Sequence, residues 1–196
     1  MVVRRCKDAY LGLLRAVMTI PNLFTARFIH RITKTRSHAQ VEEMGGGVLA
    51  DEMGMGKSLS TLALIVQTLE AGRLWAEKKR GEEHTSAKVR RHSPATLIIV
   101  PSALLINNWL NEINIHAGDA LKTIKYHGQG RVKDATDLED CDIVITTYNT
   151  LAAEAAGKRS LLHKINWYRV VLDEGKQYLA YFTTMLDPQL TCVFSS

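Results

Sequence analysis

The sequence predicts an α/β fold, a parallel sheet with helices on both faces. Three observations carry it. Between Gly45 and Gly175, short apolar runs alternate with stretches of helical periodicity. Residues 46–66, GGVLADEMGMGKSLSTLALIV, run from an apolar strand through a glycine turn into an apolar helix. Residues 169–174, RVVLDE, form an apolar strand that ends in two acids. Strands buried on both faces read as continuous apolar runs, and such strands pair in parallel. Ligands of these sheets sit beyond the C-terminal strand ends, where the glycine turn and the acid pair both fall.

The elements follow in order. Residues 5–20 place Tyr10, Leu14, Val17 and Met18 on one helix face, which Pro21 closes. A second helix is expected around 23–34, and the polar stretch 33–43 reads as a linker. The lobe proper spans 45–176. Residues 47–50 make a buried strand. Residues 57–71 make a helix with Leu59, Leu62, Ala63, Val66 and Leu69 available for packing. The charged stretch 73–94 reads as an exposed insertion. TLIIVP (96–101) is a strand closed by Pro101, and Ser102 is a suitable N-cap for a helix over 103–116. Strands at 122–126 and 142–148, a short helix at 149–156 and the strand 169–174 complete the alternation.

Composition bounds the class. The chain has 196 residues, 46% of them hydrophobic, enough for a real core. No apolar run approaches the roughly 20 residues that span a bilayer. Three scattered cysteines, Cys6, Cys141 and Cys192, fit a reducing compartment better than a disulfide framework. The seven histidines show no metal-binding spacing. The net charge of +5 is uneven: residues 1–41 hold eight Lys or Arg and one acid, or +7, so residues 42–196 sum to −2. That basic arm fits a nucleic-acid contact, a solvated helix face or a targeting-like leader.

The chemistry lies in two places. In the segment from Asp51 through Glu52, Met53, Gly54, Met55, Gly56, Lys57 and Ser58, glycines let backbone N–H groups turn around an anion. The helix N-terminus adds partial positive charge. Lys57 reaches the β/γ-phosphates of a nucleotide triphosphate, and the Ser58 hydroxyl suits Mg²⁺. The general phosphate-loop pattern requires Gly where Asp51 stands. Asp173 can hold Mg²⁺ through water, and Glu174 can polarise an attacking water. The paired acids argue against a small-molecule P-loop kinase.

These segments together resemble the SWI/SNF-type branch of superfamily 2 helicase-like ATPases. GGVLADEMGMGKSLSTLALI looks like that family's motif I, in which Asp stands at the position of Asp51. LIIVPSALLINNWLNEI (97–113) looks like motif Ia, and KYHGQGR (125–131) and DIVITTYNTL (142–151) like the next two segments. WYRVVLDEG (167–175) looks like motif II. The wording is similar to the helicase-like transcription factor and postreplication-repair branch. The resemblance implies a RecA-like first lobe and a nuclear, DNA-dependent ATPase. Such enzymes translocate on double-stranded DNA or nucleosomes in chromatin remodelling or DNA repair, with ATP and Mg²⁺ as cofactors. It implies catalytic roles for Lys57, Asp173 and Glu174, and metal contacts for Ser58 and Asp173. Pro101, Ser102, Thr146 and Thr147 lie where the family faces the DNA backbone. Hydroxyls and N–H groups suit such contacts, and ordinary strand composition explains the two threonines equally well.

The chain departs from the family in three respects. Lys176 stands where His follows Asp-Glu-Gly. Residues 177–196 match nothing expected after motif II and read as an atypical tail. The second RecA-like lobe is missing from this chain. That lobe supplies arginine fingers worth roughly 10³–10⁵ in rate. A lone lobe is expected to hydrolyse slowly, and a nucleotide- or partner-binding module without turnover is the alternative reading. Trp109 is expected to pack in the core, and His127 to be a loop residue.

Overall fold

The computed structural model describes residues 28–29, 36–37, 47–49, 52, 54–82, 91–132, 134–156, 160–175 and 191–195. Asp51, Met53, Lys176 and the helix expected at 5–20 lie outside the described residues. Eight strands are present among them: β1 (Phe28–Ile29), β2 (Arg36–Ser37), β3 (Gly47–Leu49), β4 (Arg91–Val100), β5 (Thr123–Lys125), β6 (Ile143–Thr147), β7 (Ile165–Asp173) and β8 (Thr191–Ser195). The helices are α1 (Lys57–Gln67), α2 (Leu69–Glu82), α3 (Ala103–His116), α4 (Ala135–Glu139) and α5 (Tyr148–Ala156).

Six strands form one sheet in the order β3-β8-β7-β4-β6-β5, and every pairing in it is parallel. The alternation of side chains along β4 builds two cores. Ile98 and Val100 face Leu62 and Ile65 of α1 and Ile106, Trp109 and Ile113 of α3. Leu97 and Ile99 face Leu138 of α4 and Tyr148 and Leu151 of α5. Both faces are therefore covered, as the apolar strands require.

Several expectations are corrected. Phe28 and Ile29 are extended and pair antiparallel with Ser37 and Arg36, where a helix over 23–34 was expected. An aromatic next to a β-branched residue suits a strand, and two apolar turns alone do not fix a helix. On α1 the buried residues are Thr61, Leu62 and Ile65, whereas Leu59, Ala63 and Val66 are exposed. The helical face is thus rotated about one residue from the predicted one.

The stretch 73–94 is not an exposed insertion at its ends. Residues 73–82 continue as α2, and Arg91–Pro94 begin β4. The charges of α2 hide a narrow inward stripe of Gly72, Trp75, Ala76 and Lys79. Ala76 is fully buried, and the Trp75 ring meets those of His92 and Tyr168 at centroid distances of 5.5 and 5.7 Å. Gly72 lets helix and strand approach: a Cβ there would lie 2.9 Å from the Pro94 carbonyl oxygen and 3.0 Å from the Tyr168 ring. Gly72→Ala should therefore destabilise the fold by about 1–3 kcal/mol in urea unfolding, although alanine is the better helix former. Equal or higher stability would show that α2 does not sit this closely on β4.

The expected tail at 177–196 also changes. Thr191–Ser195 form β8, which lies between β3 and β7 within the sheet. Its five residues carry no periodicity, so only pairing places them.

Arg169 of β7 is 1% exposed. Its guanidinium donates to the Thr96 hydroxyl at 3.2 Å and to the Thr68 hydroxyl at 2.7 Å, and lies 5.2 Å from the Tyr168 ring centre. Thr68, just past α1, also donates to the Leu64 carbonyl at 2.6 Å. The guanidinium thereby ties the C-terminal end of α1 to β4 and β7. Burial pushes the Cys141 thiol up to about 12, so it is no nucleophile at neutral pH.

Candidate functional site

The parallel pairing sets one level at the C-terminal sheet edge. Leu49 of β3 aligns with Ser195 of β8, and Ser195 aligns with Asp173 of β7. On the other side Ile99 aligns with Leu172, and Val100 with Thr147. The chain therefore brings the glycine turn, the acid pair, Pro101-Ser102 and Thr147 to the same edge. The turn's strand and the acids' strand are two strand spacings apart, about 10 Å.

The turn has the shape its sequence predicts. Gly54 has φ 81° and Gly56 has φ 74°, both in the left-handed region that side chains disfavour. No atom lies within 4 Å of where a Cβ would stand on either glycine, so the loop is open. Gly56 is the N-cap of α1, and its carbonyl accepts from the Ser60 N–H at 2.9 Å. Met55 donates its N–H to the Glu52 carbonyl at 3.3 Å, which closes the turn. Lys57 opens α1, and its ammonium donates to the same carbonyl at 3.2 Å. Ser58 follows, half-buried, in the first turn. Left-handed glycines at an open helix N-terminus, with a Lys and a Ser beside them, fit the phosphates and Mg²⁺ of a nucleotide.

At the end of β7, Asp173 is held twice. Its carboxylate Oδ2 accepts from the Trp109 indole N–H at 2.8 Å. Its backbone carbonyl accepts from the Tyr148 hydroxyl at 2.9 Å. Glu174 is exposed and has φ 51°, the sole non-glycine residue with positive φ among the described residues. Such a conformation costs about 1–3 kcal/mol and is found where function requires it. It breaks the extended backbone at the strand end, immediately after Asp173. The buried Gly175 follows.

Pro101 is half-buried, and Ser102 is exposed as the N-cap of α3 with extended backbone. Its hydroxyl makes no cap hydrogen bond, so the predicted capping contact is absent. Thr146 and Thr147 are buried. Thr146 donates to the Tyr126 carbonyl at 2.9 Å. The Thr147 hydroxyl lies 2.9 Å from that of Thr150 and accepts the Thr150 N–H at 3.2 Å. These hydroxyls tie β6 to the segment after β5 and to the first turn of α5. Buried hydroxyls satisfied inside the protein are not turned toward a phosphate backbone.

Below them lies a polar centre. Glu154 of α5 is 5% exposed. Its carboxyl accepts from the Tyr126 hydroxyl, and from the N–H groups of Leu161 and Leu162 at 3.1 and 3.3 Å. Arg131 stands 3.8 Å from it. Burial, and then the Glu154 hydrogen bond, push the Tyr126 phenol well above its usual range. His127 is half-buried with Nδ1 3.0 Å from the Thr150 hydroxyl, so this loop residue also anchors α5.

Sequence reasoning missed two residues at the edge. Trp109 packs as expected, but its donor reaches an acid 64 positions away, which no local pattern reveals. Ser195 stands in register beside Asp173 only because β8 enters the sheet.

The comparisons with known proteins agree with this geometry. The family model described as the SNF2-related domain matches residues 28–179. DNA repair protein RAD5B of Arabidopsis thaliana is 37% identical over 144 residues, covering 66% of this chain and 11% of that protein. The helicase-like transcription factor of Mus musculus is 42% identical over 84 residues, covering 41% of this chain and 8% of that protein. The Sulfolobus solfataricus SWI2/SNF2 ATPase core domain is similar at 24% identity and a TM-score of 0.49, covering 77% of this chain and 27% of that one. The chain thus spans 8% to 11% of the length of these two curated relatives. With the family model covering most of the chain, and the parallel sheet carrying a glycine turn and an acid pair at one edge, the chain belongs to the SNF2-related family.

Proposed function

We propose that this lobe binds Mg²⁺·ATP at the C-terminal sheet edge and serves a DNA-dependent ATPase or translocase in chromatin remodelling or DNA repair. One observation carries the reading: an open, left-handed glycine loop at the N-terminus of α1, level with Asp173 and Glu174 across a single intervening strand. The loop N–H groups and Lys57 bind and orient the phosphates. Ser58 and Asp173 would hold Mg²⁺, which would supply positive charge to the phosphate oxygens. Glu174 accepts the proton of the water that attacks the γ-phosphate. Ser102, exposed at the start of a 14-residue helix with its hydroxyl uncommitted to the cap, is the best-placed contact for the DNA backbone, beside Pro101. The names of the relatives, a DNA repair protein and a transcription factor described as helicase-like, support nuclear action on duplex DNA or nucleosomes.

The test is ATP hydrolysis with and without duplex DNA, wild type beside Lys57→Ala. The reading expects turnover that DNA stimulates and that the variant loses. Nucleotide binding without turnover, with or without DNA, would instead establish a binding module. Binding that survives unchanged in Lys57→Ala would remove the phosphate loop from the account.

A further inference from the structure

Arg169 is a buried cation among uncharged groups. Its guanidinium meets two threonine hydroxyls and lies over the Tyr168 ring. Its Nε is buried without a hydrogen-bond partner, and no carboxylate pairs with it among the described residues. A charge taken out of water in this way is costly, and a well-packed apolar residue of similar volume is often at least as stable in its place. Some compensation comes from the carbonyl end of α1, where Thr68 is the C-cap and roughly half a negative charge resides. Fold stability is therefore a weak reason for a cation here.

Its place in the sheet supplies a stronger one. Arg169, Val171 and Asp173 alternate onto one face of β7, where Val171 packs with Leu62 and Ile65 of α1. Asp173 is four residues on, about 13 Å along the strand. Helix α1 has 11 residues, so its glycine-turn end lies about 16 Å from the end that the guanidinium holds. Buried apolar side chains, not water, fill the space between. Salt screens a buried charge far less than an exposed one.

We infer that Arg169 is a specificity-determining residue: its field along the inner face of α1 favours nucleotides of higher negative charge, triphosphate over diphosphate. The inference rests on the nucleotide reading above and deepens it. Arg169 touches no part of the nucleotide and acts through charge alone. At an effective dielectric near 20, one unit charge about 15 Å away changes affinity about sixfold for each unit of ligand charge. The preference therefore grows with every charge the ligand adds.

The experiment is calorimetric titration of the full chain with a non-hydrolysable ATP analogue and with ADP, both in Mg²⁺. Wild type is set beside Arg169→Met, which removes the charge, and Thr68→Val, which removes a hydrogen bond and leaves the guanidinium charged. In Arg169→Met the ratio of triphosphate to diphosphate affinity should fall about sixfold. A fall by one common factor for both ligands would mark a merely structural role and overturn the inference. Thr68→Val should keep the wild-type ratio within about twofold. A larger change there would assign the preference to the geometry of α1 and also overturn it, whether or not Arg169→Met folds. Wild type that binds neither nucleotide would bring down the nucleotide reading itself, whereas an unchanged ratio in Arg169→Met sinks the charge role alone.

Discussion

Glu174→Gln is expected to lower DNA-stimulated ATP hydrolysis roughly 10²–10⁴-fold while leaving nucleotide affinity within about twofold. The amide keeps the size and the hydrogen-bonding oxygen but cannot accept the water's proton. Because the Glu174 side chain is exposed and its backbone alone carries the strain, the substitution removes chemistry and little else. Lys57→Ala should instead lose affinity and turnover together, since in the proposed site it would contact phosphate in both the ground state and the transition state. The two variants therefore separate binding from chemistry. A Glu174→Gln variant that turns over within threefold of wild type would assign the proton to another group. A glycine at 174 would relieve the strain and remove the carboxylate together, so glutamine is the cleaner substitution.

Glu154→Leu carries the second large effect, on stability. The substitution is close to volume-neutral and leaves three donors without their acceptor: the Tyr126 hydroxyl and the N–H groups of Leu161 and Leu162. Each buried donor left unpaired costs about 1–3 kcal/mol, so a loss of about 3 kcal/mol or more is expected. For a chain of this size that lowers Tm by roughly 6–12 °C. Glu154→Gln keeps one acceptor oxygen and should lose less than half as much. Thermal melts of the three proteins decide the matter. A Leu variant within about 1 kcal/mol of wild type would mean that water takes over the three donors.

The parallel sheet and the left-handed glycine turn were legible in the sequence because their signals are local. LIIV (97–100) is apolar at every position, and Gly54, Gly56 and Lys57 lie within four residues of one another. Strands β5, β6 and β7 and helix α3 came from the same kind of pattern. Helix α2 was not legible, because its inward stripe is one tryptophan, a glycine, an alanine and a lysine stem among charges, and periodicity scores count large apolar residues. Its fit depends on a glycine lying against the Pro94 carbonyl, which is information held by two elements at once. The roles of Thr146 and Thr147 were ambiguous for a similar reason: a hydroxyl suits a phosphate or a neighbouring polar group equally, and only the positions of Tyr126 and Thr150 show which partners they meet. The Trp109 donor shows the limit most plainly, since an indole reads as bulk in a sequence and as a polar group only beside its acceptor.

Among the described residues, strand β3 pairs with β8 alone, at the edge of the sheet. The glycine turn therefore hangs from a strand whose neighbour arrives about 140 residues later in synthesis. During translation β4, β5, β6 and β7 can assemble on the growing chain, but the strand that leads into the glycine turn has no seat until β8 leaves the ribosome. Closing so long a loop is slow, because its entropy must be lost before the pairing compensates. The proposed nucleotide site is thus among the last parts of the sheet to form, and a bound nucleotide that favours the closed sheet would act as its own folding ligand.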